Sequence, residues 1–288
     1  MKRLNFLLLA ALLFSLLTGC QNSSTPYHIA ATTLPVYEFT AALCSGTEIR
    51  VGQIVTENVS CLHDYTLQVR QMRMLESAQI VVISGAGLED FLDEALSNAQ
   101  IVIDSSANTH AHSMSHEHAD HHHDEDPHIW LSPENARIMV QNIYTGLTDA
   151  YPQHRETFSA NRDALITQLN TLEQYGKDTL SQLSCRDLIT FHDGFSYFAE
   201  SFQLNILHSA EEESGSELSA AELKNLIQLI EENHLPAIFT EKNGSDAAAK
   251  IISAETGVRS YALDMAMSGS SYFTAMYHNI NTIKEALG

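Results

Sequence analysis

Short apolar runs rich in β-branched residues alternate with stretches of helical spacing twice along this sequence, and one long amphipathic run separates the two series. In the first series HIAATT (28–33), IRVGQIV (49–55), QIVVISG (79–85) and QIVID (100–104) read as strands, with TLQVRQMRMLESA (66–78) and LEDFLDEAL (88–96) as helices. In the second, DLITFHD (187–193), LNILHSA (204–210), PAIFTEK (236–242) and VRSYALD (258–264) read as strands. GFSYFAESF, SAAELKNLIQLIEENHL and SDAAAKIISAETG separate them as helices, and a last helix runs from Ser271 to the end. Strands apolar on both faces and joined by helices indicate parallel sheets covered on both sides. Between the series, Ser132 is placed to cap a helix through ENARIMVQNIYTGLTDAY, which Pro152 ends. From about His154 to Leu183, the residues Leu165, Leu169, Leu172, Leu180 and Leu183 recur at three- and four-residue spacing. The expected fold is α/β, with two doubly wound parallel-sheet lobes of about 110 residues each joined by one long rigid helix. The expected boundaries are 27–153 for the first lobe, with a His-rich loop at 105–126, then 154–184 for the linking helix and 185–288 for the second lobe.

The first residues have a different purpose. MKR is a basic segment, and LNFLLLAALLFSLL is an apolar run too short to span a bilayer comfortably. The LTGC that follows resembles a bacterial lipobox, which implies a signal peptide over 1–19, cleavage before Cys20 and a lipid thioether on its sulfur. Residues 20–26 then form a polar tether. The expected location is the outer face of a bacterial cytoplasmic membrane, facing either a periplasm or the exterior. A net charge of −21 attracts cations and repels phosphate backbones, which argues against nucleic acid as a partner. Beyond Cys20 there are Cys44, Cys61 and Cys185. Export makes a Cys44–Cys61 disulfide chemically available, the odd count leaves one thiol over, and the pairing stays open.

Ligands of open α/β sheets bind beyond the carboxyl ends of the strands. His192 and Asp193 follow DLITF, Glu241 ends PAIFT and Asp264 ends VRSYAL. In the first series His63 lies in the loop NVSCLHDY, and His128 lies past the fourth strand. Two sheets facing each other would aim these groups into one interlobe cleft. Three imidazoles and a carboxylate suit tetrahedral zinc. Manganese prefers oxygen ligands, whereas copper and nickel bind imidazole at least as well as zinc does. Just before His128, the stretch THAHSMSHEHADHHHDEDPH carries His110, His112, His116, His118, His121, His122 and His123 among acidic residues. Such a tract is expected to act as a low-affinity zinc collector beside the cleft. His28, His154, His208, His234 and His278 have no comparable context and are assigned to surface or structure.

HDYTLQVRQM, DPHIWLSPENA, TFHDGFSYF and YALDMAMSG, in that order and with the lipobox and the His-rich loop, span essentially the whole chain. Together they resemble the landmarks of the solute-binding proteins of metal-ion ABC transporters, in the zinc-uptake branch. DPHIWLSP is the most specific of them. The resemblance implies a metal held between the lobes by His63 and His128 from the first and by His192 and Asp264 from the second. Glu241 is the alternative fourth ligand, or a partner that orients a histidine from behind. It also implies capture of Zn²⁺ outside the cytoplasm and delivery to a membrane permease served by a cytoplasmic ATPase, both encoded elsewhere, with the chain acting as a monomer and catalysing nothing. A manganese- or other divalent-metal-binding member of the same family is the near alternative. An extracellular zinc hydrolase is the alternative of another class, with Glu241 as base. The sequence has no HExxH, GxSxG or other recognisable catalytic set to support it.

Overall fold

A computed structural model of the chain describes residues 27–59, 62, 65–97, 99–110, 126–210, 218–269 and 271–288. The expected signal peptide, lipidation site and tether, with Cys61, His63 and most of the His-rich tract, lie outside the described residues. No described helix is long and apolar enough to cross a membrane.

The strands β1 (Ile29–Ala31), β2 (Val51–Gln53), β3 (Ile80–Ile83) and β4 (Ile101–Asp104) form one parallel sheet in the order β2-β1-β3-β4. A second parallel sheet, in the order β6-β5-β7-β8, comprises β5 (Asp187–Thr190), β6 (Asn205–Ser209), β7 (Ala237–Glu241) and β8 (Arg259–Leu263). In each sheet the first strand of the series lies inside, with the second on one side and the third on the other. The chain therefore winds its connections onto both faces and opens a crevice at the carboxyl ends of β1 and β3, and another at those of β5 and β7.

The helices mostly follow the apolar periodicity. They are α2 (Val69–Ser77), α4 (Pro133–Ala150), α5 (Arg155–Thr179), α6 (Ser196–Ser201), α7 (Ala220–Asn233), α8 (Ala247–Thr256) and α9 (Tyr272–Leu287). Ser132 caps α4, its hydroxyl accepting from the Asn135 N–H at 3.3 Å. A 3₁₀ turn at Pro152–His154 leads into α5, which buries Phe158, Leu165, Leu169, Leu172 and Gly176. At Gly176 any Cβ would collide with the ring of Phe202, so the missing side chain lets the second lobe press directly onto the long helix.

Two elements differ from the sequence reading. The segment LPVYEFTAAL, between the first two strands, is a helix, α1 (Leu34–Leu43). Its mix of β-branched and aromatic residues gives little helical signal. Burial of Leu34, Val36, Phe39 and Leu43 compensates, and Pro35 sits in the first turn, where a missing N–H costs nothing. The expected helix at 88–96 is shorter, a 3₁₀ turn at Asp90–Leu92 running into the single turn α3 (Asp93–Leu96). It starts late because Glu89 folds inward onto the end of β3.

One continuous apolar cluster joins the two halves through the long helix, including Ile29, Val81, Leu169, Phe198, Phe239 and Ile280. Polar bonds lock the same junction. The indole N–H of Trp130, a fully buried residue, donates to the Met265 carbonyl at 2.7 Å, and the Tyr272 hydroxyl donates to the Trp130 carbonyl at 2.9 Å. Glu38, on α1, accepts from the Tyr272 N–H at 3.0 Å and so caps α9 across the lobe boundary, while Ser271 contributes no side-chain cap. Burial pushes the Glu38 carboxyl above its ordinary range, against the pull of that N–H. Cys44 is a buried free thiol, pushed up to about 12 by burial, and Cys185 is also free.

Glu89 occupies the first crevice. Its carboxylate accepts from the Thr32 hydroxyl at 2.6 Å, from Ser84 N–H at 2.7 Å and from Gly85 N–H at 2.9 Å, joining the ends of β1 and β3. Desolvation outweighs these three donors and, with the nearby Asp104, raises its pKa from 4.5 to about 7. A pKa raised on folding means that the folded state holds the proton more tightly. The stabilising contribution is complete below about 4.5 and lost as the pH rises through about 7. The shift corresponds to about 3 kcal/mol. Across pH 5 to 8, the stability difference between the wild type and Glu89→Gln is expected to change by about that amount, as measured by chemical denaturation. A difference that did not vary with pH would show that Glu89 stays ionised in the fold.

Candidate metal centre

His192 leaves the end of β5 at the second crevice. His128 enters from the other half, on the turn that precedes a 3₁₀ segment at Ile129–Leu131 and then α4. Both are buried, at 3% and 6% exposure. Their Nε2 atoms approach to 3.4 Å, with the ring planes at 87°. Behind His128, Asp126 Oδ1 lies 2.8 Å from ring Nδ1 and also accepts the His128 N–H at 2.9 Å. An accepting carboxylate puts the ring hydrogen on Nδ1, which leaves the Nε2 lone pair directed at His192. Tyr197, from the second half, donates its hydroxyl to the Asp126 carbonyl at 2.8 Å, so both lobes hold the His128 assembly. Gly194 makes the approach possible, because a Cβ there would sit 2.9 Å from both His128 Nδ1 and His192 Cδ2. The spacing can be tested against a metal. Two nitrogens bound at about 2.0–2.1 Å to one tetrahedral zinc lie about 3.3–3.4 Å apart. The separation of the two imidazole nitrogens matches that of two ligands on one such ion.

The family model of ZnuA, the periplasmic component A of the zinc-uptake complex, matches residues 29–286. The chain belongs to this family. It is 28% identical over 311 residues to the zinc-binding lipoprotein AdcA of Streptococcus pneumoniae (strain ATCC BAA-255 / R6), a match that covers 99% of this chain and 61% of AdcA. It is 26% identical over 285 residues to the zinc-binding protein AdcA of Streptococcus pyogenes serotype M3, covering 89% of this chain and 55% of that protein. The chain therefore spans little more than half the length of these relatives. A crystal structure of ZnuA superposes with a TM-score of 0.81 at 28% identity, covering 91% of this chain and all of that one. Zn(II)-bound AdcA from Streptococcus pneumoniae superposes with a TM-score of 0.78 at 27% identity, covering 91% of this chain and 58% of that one. The two parallel-sheet lobes and the long helix are the architecture of the ZnuA family.

The other residues singled out in the sequence fall in different places within this ZnuA-family fold. The chain on either side of the His63 loop is tied down. Tyr65 donates to Glu57 at 2.6 Å, and buried Gln71 donates to the Ile54 carbonyl at 2.7 Å and to the Tyr65 hydroxyl. The Tyr65 hydroxyl, aided by Arg70, holds the Glu57 carboxyl down to about 2. Asp264 is buried at the end of β8. Its Oδ1 accepts the Ala266 N–H at 2.9 Å, and its Oδ2 pairs with Lys242 Nζ at 2.9 Å. Among the described residues no group of three or more His, Cys, Asp or Glu side chains is gathered to hold a metal. Asp264 is linked to the histidine pair through its neighbour Met265, whose carbonyl takes the Trp130 N–H and whose Cε lies beside Gly194. Glu241 is buried and in register with Leu263, so strand alternation directs it to the face opposite Lys242 and Asp264. Asp193 accepts from Ser209 at 3.2 Å, on the β6 side.

Of the His-rich tract, His110 is described and the other six histidines are not. Its main chain exchanges two hydrogen bonds with the Asn135 side chain, at 2.9 and 3.0 Å, and its ring lies 3.3 Å from Glu134. The entrance to the tract is thus pinned to the first turn of α4, the helix that follows His128. His28 accepts from Arg50 N–H, His154 lies beside Glu48 and His278 beside the Ala262 carbonyl, while His208 lies exposed on β6 and His234 closes α7 in the left-handed region. Asp126, Tyr197, Gly194 and Gln71 are contributors that the sequence reading did not assign. Only Asp126 carried a signal, standing two residues before a histidine in DPH.

Proposed function

We propose that the chain is the extracytoplasmic zinc-binding component of a metal ABC transporter, capturing Zn²⁺ and delivering it to a membrane permease driven by a cytoplasmic ATPase. The observation that carries this reading is the pair of buried imidazole nitrogens 3.4 Å apart, one from each half of the molecule. The proposed ligands are His63 and His128 from the first lobe (27–153) and His192 and Asp264 from the second (185–288), with 154–184 as the link. Imidazole donors favour zinc over manganese. Ligands drawn from two lobes suit release, because a small displacement of one lobe by the permease breaks coordination. No step of this function requires a reaction. Lipidation at Cys20 would hold the protein at the outer face of the cytoplasmic membrane, and the tract from His110 to His123 would collect zinc weakly beside the cleft.

Calorimetric titration of residues 21–288 with zinc, with manganese in competition, tests the proposal. One tight zinc site that survives deletion of 111–125, which leaves Asp126 behind His128, with weaker sites lost in that deletion, is the expected result. Ready displacement of zinc by manganese would assign the chain another cargo.

A further inference from the structure

Asp264 has one oxygen committed to the main chain, since Oδ1 accepts from Ala266 N–H. Oδ2 pairs instead with Lys242 Nζ at 2.9 Å. The two partners are unlike in freedom. The Asp264 side chain is 8% exposed, whereas that of Lys242 is 56% exposed. The ammonium can swing into water on its flexible stem, while the carboxylate stays where it is. The backbone keeps the lysine at hand. Lys242 N–H donates to the Leu263 carbonyl at 2.8 Å, extending the β7–β8 pairing by one residue, and the turn is closed by Gly244 N–H on the Glu241 carbonyl at 3.1 Å.

We infer that Lys242 is a tethered cation that competes with the cargo for Asp264 and eases its release. The inference rests on the ligand assignment proposed above. A metal on Oδ2 and an ammonium on the same oxygen repel each other, so an arriving ion displaces Lys242 into solvent. As the ion leaves, the ammonium takes Oδ2 back and shields the carboxylate from recapturing it. Lys242 thereby lowers the affinity and speeds dissociation, the two properties that a delivering protein needs to hand over its load. It is a residue that tunes the site without being one of its ligands.

The test is zinc titration, with dissociation rates followed by mixing with a chelator, on the full chain bearing Lys242→Met, Lys242→Arg, Asp264→Asn or the Lys242→Met and Asp264→Asn pair. Lys242→Met is expected to bind zinc about tenfold more tightly and release it correspondingly more slowly, with the gain shrinking at high salt because the lysine is exposed. Lys242→Arg should behave nearly as wild type. In the Asp264→Asn background, Lys242→Met should change nothing. Unchanged or weaker binding in Lys242→Met would overturn the inference, and so would an Asp264→Asn variant of wild-type affinity. The wider site assignment fails separately, through retention of tight binding by His192→Ala.

Discussion

Replacing His192 with alanine is expected to weaken zinc binding by about two to three orders of magnitude, because a four-ligand zinc site binds with about 10–16 kcal/mol in total, or about 2.5–4 kcal/mol for each ligand. The His192 Nε2 is 3.4 Å from that of His128, and Gly194 beside it has no side chain to substitute. Thermal melts with and without zinc would accompany the titration. Wild-type protein at a hundredfold excess of zinc over its dissociation constant should gain about 2.7 kcal/mol, and His192→Ala should gain almost none under the same conditions. A variant that kept its affinity within tenfold of wild type would remove the histidine pair from the metal site.

The largest effect on stability is expected at Trp130. Truncation to alanine should cost about 3–5 kcal/mol, as for other large buried side chains. For a chain of this size that is a fall in melting temperature of roughly 10 °C. The indole fills the junction of the two halves, donates to Met265 and stands edge-on to the His128 ring, with centroids 5.4 Å apart. Its loss therefore empties part of the shared core and loosens one wall of the histidine pair at once. Zinc affinity should fall together with stability in Trp130→Ala, and much less in Trp130→Phe, which keeps an aromatic wall. If Trp130→Ala melted within a degree or two of wild type, the halves would not depend on this contact.

Much of the architecture was legible because it is periodic. The stripe through Leu165, Leu169 and Leu172 can be read at three- and four-residue spacing and is the buried face of α5. PAIFT reads as a doubly buried strand and is one, with every residue of β7 buried. Helix α1 was not legible, since its residues have weak helical preference and its stability comes from packing, including the edge-on contact of Phe39 with Tyr272 at 5.0 Å. The candidate site divides in the same way. His128 and His192 could be named from their places beside strand ends and from the motifs around them. Neither the motifs nor the spacing announced that Tyr197 would hold Asp126, or that Lys242 would lie on Asp264.

By itself, the sequence determined the elements that repeat along the chain and the residues able to bind a metal. Local propensity and side-chain chemistry act over a few residues and can be read there. The tertiary structure alone decided which of those residues meet. His128 and His192 are 64 positions apart, and their rings meet where Trp130 bonds to Met265 and Gly194, lacking a side chain, leaves room for both. Asp264 is paired with Lys242, 22 positions away, because β7 and β8 lie side by side in register. Such contacts are set by the packing of distant segments, for which no local pattern in the chain substitutes.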